Sequence, residues 1–364
     1  MSAGAGSDGA ASRPESLLDR FKNLRRLDFE VATRAAIATV VPLIILVALG
    51  RIEWAPYATF GAMTALYGRG EPYRIRIRTV SVAALGLLVS MALGVTMAVS
   101  HAALPVLAVG LVVVIVAGLL LAAAVGLFPL TPIFFVFAYT VCSQVPTPQS
   151  EVGPRMFVGV IAAVFAWLLT LSGWLIRRAA AEAPAGLFKA LPRHSHVRGA
   201  AFHDERVWLA IVQNVIGVLV AGGLAIAVGI GHPYWAVVSV VAVMPPPGAA
   251  HSTSRAIHRI IGTAVGVVAA GLVLFPGPPV WVLVLVIAIG QFGAEILIGR
   301  HYGAALIFVT PLALTVAHLA SPVPVQTLLT DRVVETALGG GIAIVIVLIT
   351  RAVVDRRNAR ASVA

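Results

Sequence analysis

The sequence is short of charge. Asp, Glu, Lys and Arg make up only 11% of its 364 residues, against about 25% in a soluble domain. Cysteine is nearly absent. Cys142 stands alone inside an apolar run, so neither an intramolecular disulfide nor a cysteine-based metal site is open to the chain. No glycine-rich loop ends in Lys-Ser or Lys-Thr, which excludes an ATPase of the P-loop kind. No His-Glu-x-x-His occurs, and His194 and His196 are too sparse for a metal site. The outward-facing acids that could serve as a catalytic pair are limited to Glu53, Glu151 and Asp331, all weakly placed. No enzyme signature stands out, and no cofactor is implied. The first sixteen residues are rich in Gly, Ala and Ser and have no apolar stretch of the signal-peptide kind. Their composition is that of a disordered tail.

What the chain has in excess is apolar surface. Its residues are 59% hydrophobic, with a mean hydropathy of +0.97. No soluble core of this size needs so much, so the composition points to an all-α, multi-pass membrane protein. A spanning helix takes about 20 apolar residues. Candidate spans fall at 31–50, 54–67, 79–100, 103–125, 127–143 and 156–176, and then at 207–230, 233–247, 256–275, 279–298, 302–320 and 333–351. That is six plus six, about twelve transmembrane helices. Residues 1–30 are a tail and an interfacial amphipathic helix over 16–30; 31–176 and 207–351 are the two membrane repeats; 177–206 is a polar linker; 352–364 is a tail. The net charge of +11 fits topology. With both termini and the linker cytoplasmic, all of the 26 Lys and Arg residues except Arg34, Arg51, Arg155 and Arg332 fall in cytoplasmic segments, as the positive-inside rule requires. No soluble basic face for nucleic acid is visible. The expected location is the cell inner (plasma) membrane.

One unit occurs twice. Trp54-Ala-Pro56-Tyr57 opens an apolar run that breaks at Gly68-Arg69-Gly70-Glu71-Pro72. His232-Pro233-Tyr234-Trp235 opens another, broken at Pro245-Pro246-Pro247-Gly248. Arginines four apart follow each break, Arg74 and Arg78 in the first copy and Arg255 and Arg259 in the second. Later, Pro146-Thr147-Pro148 and Arg155 answer Pro322-Val323-Pro324 and Arg332. With an even number of spans per half, such a repeat is parallel, about an axis along the membrane normal.

Residues four apart share a helix face, and a helix N-terminus favours anions. Arg74, Arg78, Arg255 and Arg259 are therefore candidate ligands for a carboxylate at the repeat interface. The plainer reading makes them positive-inside anchors or lipid-headgroup ligands. Glu295, one turn from Gln291, is a candidate proton-coupling carboxylate, or else an ion-pair partner of Arg300 or of a repeat arginine. Tyr234 and Trp235, like Trp54 and Tyr57, fit an interfacial aromatic belt or stacking on an aromatic substrate. Arg332 is expected to pair locally with Glu335. Arg155 has no matching acid at the equivalent place, so Arg155 and Arg332 are candidate outer anion contacts. Gln213 and Asn214 are expected to hydrogen-bond between helices. Gly262, Gly266 and Gly339 to Gly341 are expected at close helix contacts.

These residues resemble the fusaric acid resistance and aromatic acid exporter family, distantly similar to plant aluminium-activated malate channels. The resemblance rests on Tyr234-Trp235, the Pro/Gly break, Arg255 to Gly262-Thr263, and Glu295 with Arg300-His301-Tyr302 leading to Thr310-Pro311. It covers most of 31–351. It implies an inner-membrane exporter of organic, often aromatic, carboxylates, built as a parallel repeat of six-helix units. In the channel relatives two six-helix subunits line an anion path with basic residues; here one chain supplies both. The large bacterial members carry a sizeable cytoplasmic domain where this chain has only its linker. The expected partners are an organic anion and the lipid bilayer, with a homo-oligomer compatible with the sequence. A passive organic-anion channel and a non-transporting scaffold or lipid-binding protein are the alternatives.

Overall fold

A computed structural model describes residues 26–179, 199–246, 253–321 and 323–361, with side chains at 26–27, 173–179 and 354–361 left aside. Helices carry the described chain, and no strand occurs among these residues. Among the described residues twelve α-helices follow one another. They are α1 (Arg26–Ala48), α2 (Ala55–Ala62), α3 (Tyr73–Val99), α4 (Leu104–Val125), α5 (Ile133–Gln144), α6 (Val152–Ala179), α7 (Glu205–Ala227), α8 (Tyr234–Val243), α9 (Thr253–Leu274), α10 (Val280–Leu297), α11 (Tyr302–Ala320) and α12 (Val325–Ala361). Nine helices among the described residues are long and apolar enough to cross a membrane; α5 and α8 are shorter apolar helices, and α2 is shorter still.

Proline and glycine set the boundaries. Pro72 caps α3, whose helix starts at Tyr73 and takes in Arg74, Arg76 and Arg78 ahead of the span expected from 79. Gly126 adopts a left-handed φ of 74° and ends α4. Pro129 and Pro132, with Phe128–Pro129 cis, keep the helix expected from 127 from starting before Ile133. The last helix begins at Val325 rather than 333 and runs to Ala361, so Arg332 lies inside it. The expected amphipathic helix over 16–30 lies mostly outside the described residues. Its end, from Arg26, is the first turn of α1, with Asp28 buried. Residues 180–198 of the expected linker also lie outside the description.

The short helices sit at the centre. Every residue of α2 and of α8 is buried. The aromatic-belt reading of Tyr57, Tyr234 and Trp235 is therefore overturned: these rings are enclosed by protein. Phe137 of α5 joins the two, 5.1 Å from Phe60 of α2 and 5.3 Å from Trp235 of α8 between ring centroids. Around α2, α6 packs on α2 and on α3, and α3 on α5; around α8, α12 packs on α8 and on α9, and α9 on α11. The two groups meet through α1 on α10 and through α4 on α7.

Glycine makes the closest contacts possible. A Cβ on Gly262 would collide with the Gly303 carbonyl of α11, and one on Gly339 with the Ala236 carbonyl of α8. Gly266 meets Thr310 in the same way, whereas Gly341 faces open space. The outer faces are apolar, with Leu85 and Val89 of α3, Val109 and Val113 of α4, Ile261, Val265 and Leu272 of α9, and Leu285 and Ile289 of α10 all exposed. Stripes of this size on one protein fit hydrocarbon, not water.

Side-chain bonds identify which helix ends share a side. Asp28 at the start of α1, Arg69 before α3, Glu295 near the end of α10 and Arg300 before α11 are joined at one end. His232 before α8 is joined to Asp331 and Glu335 of α12 at the other, as Trp54 before α2 is joined to Glu151 before α6.

Candidate functional site

The second group of helices buries two arginines that are not neutralised by bonded acids. Arg332, in the second turn of α12, is 1% exposed. Its guanidinium lies over the Trp235 ring, 3.9 Å from the centroid, and its Nε and Nη1 have no hydrogen-bond partner. Trp235 Nε1 is likewise buried and unpartnered. Arg259 of α9 is 3% exposed. Its Nη1 donates to Tyr302 Oη at 3.0 Å, while its Nε has no acceptor. Arg255, one turn earlier and exposed, stacks on Tyr302 at 4.2 Å and donates from Nε to the Ala242 carbonyl at 2.8 Å. Arg259 and Arg332 lie within range of each other's charge. One turn beyond Trp235, Arg259 and Arg332 stand Ser239, Thr263 and Thr336, all with buried, unpartnered hydroxyls.

The expected Arg332–Glu335 pair does not form. Glu335 turns to the start of α8, where its Oε1 accepts from the His232 backbone N–H at 2.9 Å, and its Oε2 has no partner. His232 Nδ1 meets Asp331 Oδ2 at 2.7 Å. Two residues at one spacing on a helix still choose partners by what lies opposite, and here Trp235 of α8 offers an indole face to Arg332 while His232, just before α8, offers a backbone N–H to Glu335. Burying a cation without a paired charge costs several kcal/mol, and a second cation nearby adds repulsion. An arrangement with unmet donors on two guanidiniums and an indole is chemically an acceptor of anions, above all of a carboxylate.

Arg155 of α6 lies differently. Val158 holds the place that matches Glu335, and the acid that meets Arg155 is instead Glu151, one turn earlier, which takes Nε at 2.9 Å and Nη2 at 2.6 Å on its Oε2. Arg155 Nη1 donates to the Pro146 carbonyl at 2.9 Å and to Thr147 Oγ1 at 2.8 Å, with Tyr57 Oη at 3.5 Å.

At the opposite end, Asp28 bonds Arg69 at 2.8 Å and Arg300 at 2.6 Å. Arg69 Nη1 lies 3.6 Å from Glu295 Oε2 and donates to the Glu295 carbonyl at 3.3 Å. Glu295 thus faces protein beside Arg69, and Arg300 goes to Asp28. Arg34 of α1 is buried, with Nη2 3.4 Å from the Ala65 carbonyl. The paired arginines share a spacing but not a setting: Arg74 is exposed and Arg78 half-buried at the start of α3, while Arg76 between them is buried against Tyr73. The main neighbours of α3 are α5 and α6, and those of α9 are α11 and α12, so the two arginine faces lie in separate groups of helices. Asn214 donates to the Ala210 carbonyl of its own helix, not to a neighbour. No cluster of metal-ligating residues occurs among the described residues.

Sequence reasoning passed over Asp28 and Arg69, although Arg69 between two glycines in a helix break is a visible oddity. It named Tyr302 only through the family motif, and it gave Glu151 no partner. None of the pairings spanning 41 to 272 residues in sequence leaves a local pattern.

Fold and site together define a multi-pass α-helical membrane protein with a buried cationic site. Residues 220–346 match the family described as fusaric acid resistance protein-like, the stretch that holds this site. Over 122 residues the chain is 33% identical to the uncharacterized membrane protein YvaC of Bacillus subtilis, covering 34% of this chain and 19% of that protein. Over 137 residues it is 29% identical to the uncharacterized protein slr1298 of Synechocystis, covering 36% of this chain and 18% of that one. The matched stretch thus spans less than a fifth of either relative's length. No solved structure matches the chain.

Proposed function

We propose that the protein is an inner-membrane exporter of organic, chiefly aromatic, carboxylates, with the anion held by Arg259 and Arg332 beside Trp235, Tyr234 and Tyr302. The observation that carries this reading is the pair of buried guanidiniums with unmet donors on an aromatic floor. An aromatic carboxylate offers the charge these donors lack, and its ring suits the aromatic surroundings of Trp235, Tyr234 and Tyr302. Arg255, exposed beside Tyr302, and Arg74 and Arg78 at the start of α3 are the proposed entry cations on the cytoplasmic side. The match of 220–346 to a fusaric acid resistance-like family supports transport.

The architecture proposed with it is a parallel repeat of twelve membrane helices, α1 to α6 and α7 to α12, with both termini cytoplasmic. Recurrence of the packing supports this: α6 on α2 answers α12 on α8, α3 on α5 answers α9 on α11, and α1 on α10 answers α7 on α4. Glu295 is the proposed proton-coupling group. The decisive experiment is counterflow in proteoliposomes with a panel of aromatic carboxylates. Wild-type protein exchanges at least one of them and Arg332→Gln does not. Absence of exchange by the wild type, or equal exchange by the variant, would remove the proposal. Flux that needs no proton gradient would instead favour a passive channel.

A further inference from the structure

Arg155 and Arg332 hold matching places. Each lies near the start of the last helix of its group, and each sets its guanidinium over an aromatic ring of the short central helix, Tyr57 at 5.6 Å and Trp235 at 3.9 Å. Their donors differ in one respect. Glu151 Oε2 collects Arg155 Nε at 2.9 Å, Arg155 Nη2 at 2.6 Å and Trp54 Nε1 at 3.3 Å. One carboxylate oxygen therefore sits in a cup of two guanidinium nitrogens and one indole nitrogen. At Arg332 the same kinds of donor, Nε and Nη1 of the arginine and Nε1 of Trp235, are buried without any acceptor. The two acids beside Arg332 on α12 are turned away to His232, Asp331 to its ring and Glu335 to its backbone N–H.

We propose that Glu151 is a tethered carboxylate that fills the first-half counterpart of the anion site, so that each chain binds a single carboxylate, held by Arg332 and Trp235 as Glu151 is held by Arg155 and Trp54. The inference rests on reading Arg259 and Arg332 as an anion site. A carboxylate one helical turn from its arginine acts at an effective concentration in the millimolar range or above. It also has its partner geometry set in advance by α6, so a free carboxylate of ordinary affinity does not displace it. The second half has no such tether, and its donors are left for a ligand. Duplication would have given two sites, and one internal acid removes one of them.

The test counts bound anion on the purified full-length protein by equilibrium dialysis with radiolabelled benzoate, with thermal unfolding of every variant followed alongside. Wild-type protein takes up one benzoate per chain, Arg332→Gln takes up none, and Glu151→Gln takes up two. Two benzoates on the wild type, or one on a folded Glu151→Gln protein, would overturn the inference while leaving the anion site standing. No benzoate on the wild type removes the anion site itself, and the inference with it. Should Glu151→Gln not fold, Arg155→Lys reads the same point, since lysine keeps the charge for Glu151. One benzoate at unchanged affinity supports the assignment, and a tenfold or greater loss overturns it.

Discussion

At the scale of single residues, the same side-chain type is put to opposite uses. Arg155 and Arg332 are both buried arginines over aromatic rings, yet one is saturated by acceptors and the other is not. A planar guanidinium offers two parallel N–H groups to a carboxylate, and lysine has no such fork. Arg259→Lys or Arg332→Lys should therefore weaken the proposed organic-anion transport while expression and insertion persist. Loss of one charge-assisted contact costs about 1.5–3 kcal/mol, or about ten- to a hundredfold in affinity, read as a rise in the half-saturating concentration in counterflow. Asp28 makes a complementary case. It is buried between Arg69 and Arg300, and breaking a buried pair costs about 3–5 kcal/mol because charge is left uncompensated. Asp28→Asn should lower the unfolding temperature in detergent, whereas Arg74→Gln, at an exposed position, should leave it in place.

At the scale of elements, the short helices explain the long ones. α2 and α8 are too short to cross a bilayer as single helices and wholly buried, so the longer helices must close around them. Glycines at the crossings allow that closure. Gly262 touches α11 and Gly339 touches α8 with no room for a methyl group, and overpacking a tight contact costs about 1–3 kcal/mol. Gly262→Ala should destabilise by that amount, while Gly341→Ala, facing open space, should be neutral or stabilising through its higher helix propensity. Thermal unfolding followed by fluorescence-detected size exclusion separates the two. Equal losses would mean that the α9–α11 contact does not limit stability. The apolar periodicity located most helices to within a few residues, and it failed where tertiary contacts or proline decided. The start of α5 is such a place: the span expected from 127 begins only at Ile133, because Pro129 and Pro132 stand before it.

At the scale of the whole molecule, the bonds between sequence-distant residues join the two halves at one end. Asp28 and Arg69 come from the first half, and Glu295 and Arg300 from the second. A proton-coupling role for Glu295 predicts that Glu295→Gln abolishes pH-driven flux while exchange without a gradient persists. Unchanged pH-driven flux would leave Glu295 a partner of Arg69 and nothing more. The charge bias predicts a cytoplasmic C-terminus. A reporter fused after Ala364 should be active in the cytoplasm, and activity only outside would reverse the topology.

Composition by itself determined that this is a membrane-embedded helical protein, because so much apolar surface has no other stable solvent. Spacing by itself put Arg255 and Arg259 on one helix face. It left open which arginines are neutralised, because that depends on residues brought together across the fold. Glu151 reaches Arg155 along its own helix end, but Trp54, Tyr57 and Thr147 join them only through packing. Arg332 and Glu335 are three residues apart, and a local rule pairs them; packing separates them, setting Arg332 over the Trp235 ring of α8 and Glu335 on the His232 N–H that precedes α8. The chain's periodicity fixes which residues share a face, while the charge state of a buried face is set by what packs against it.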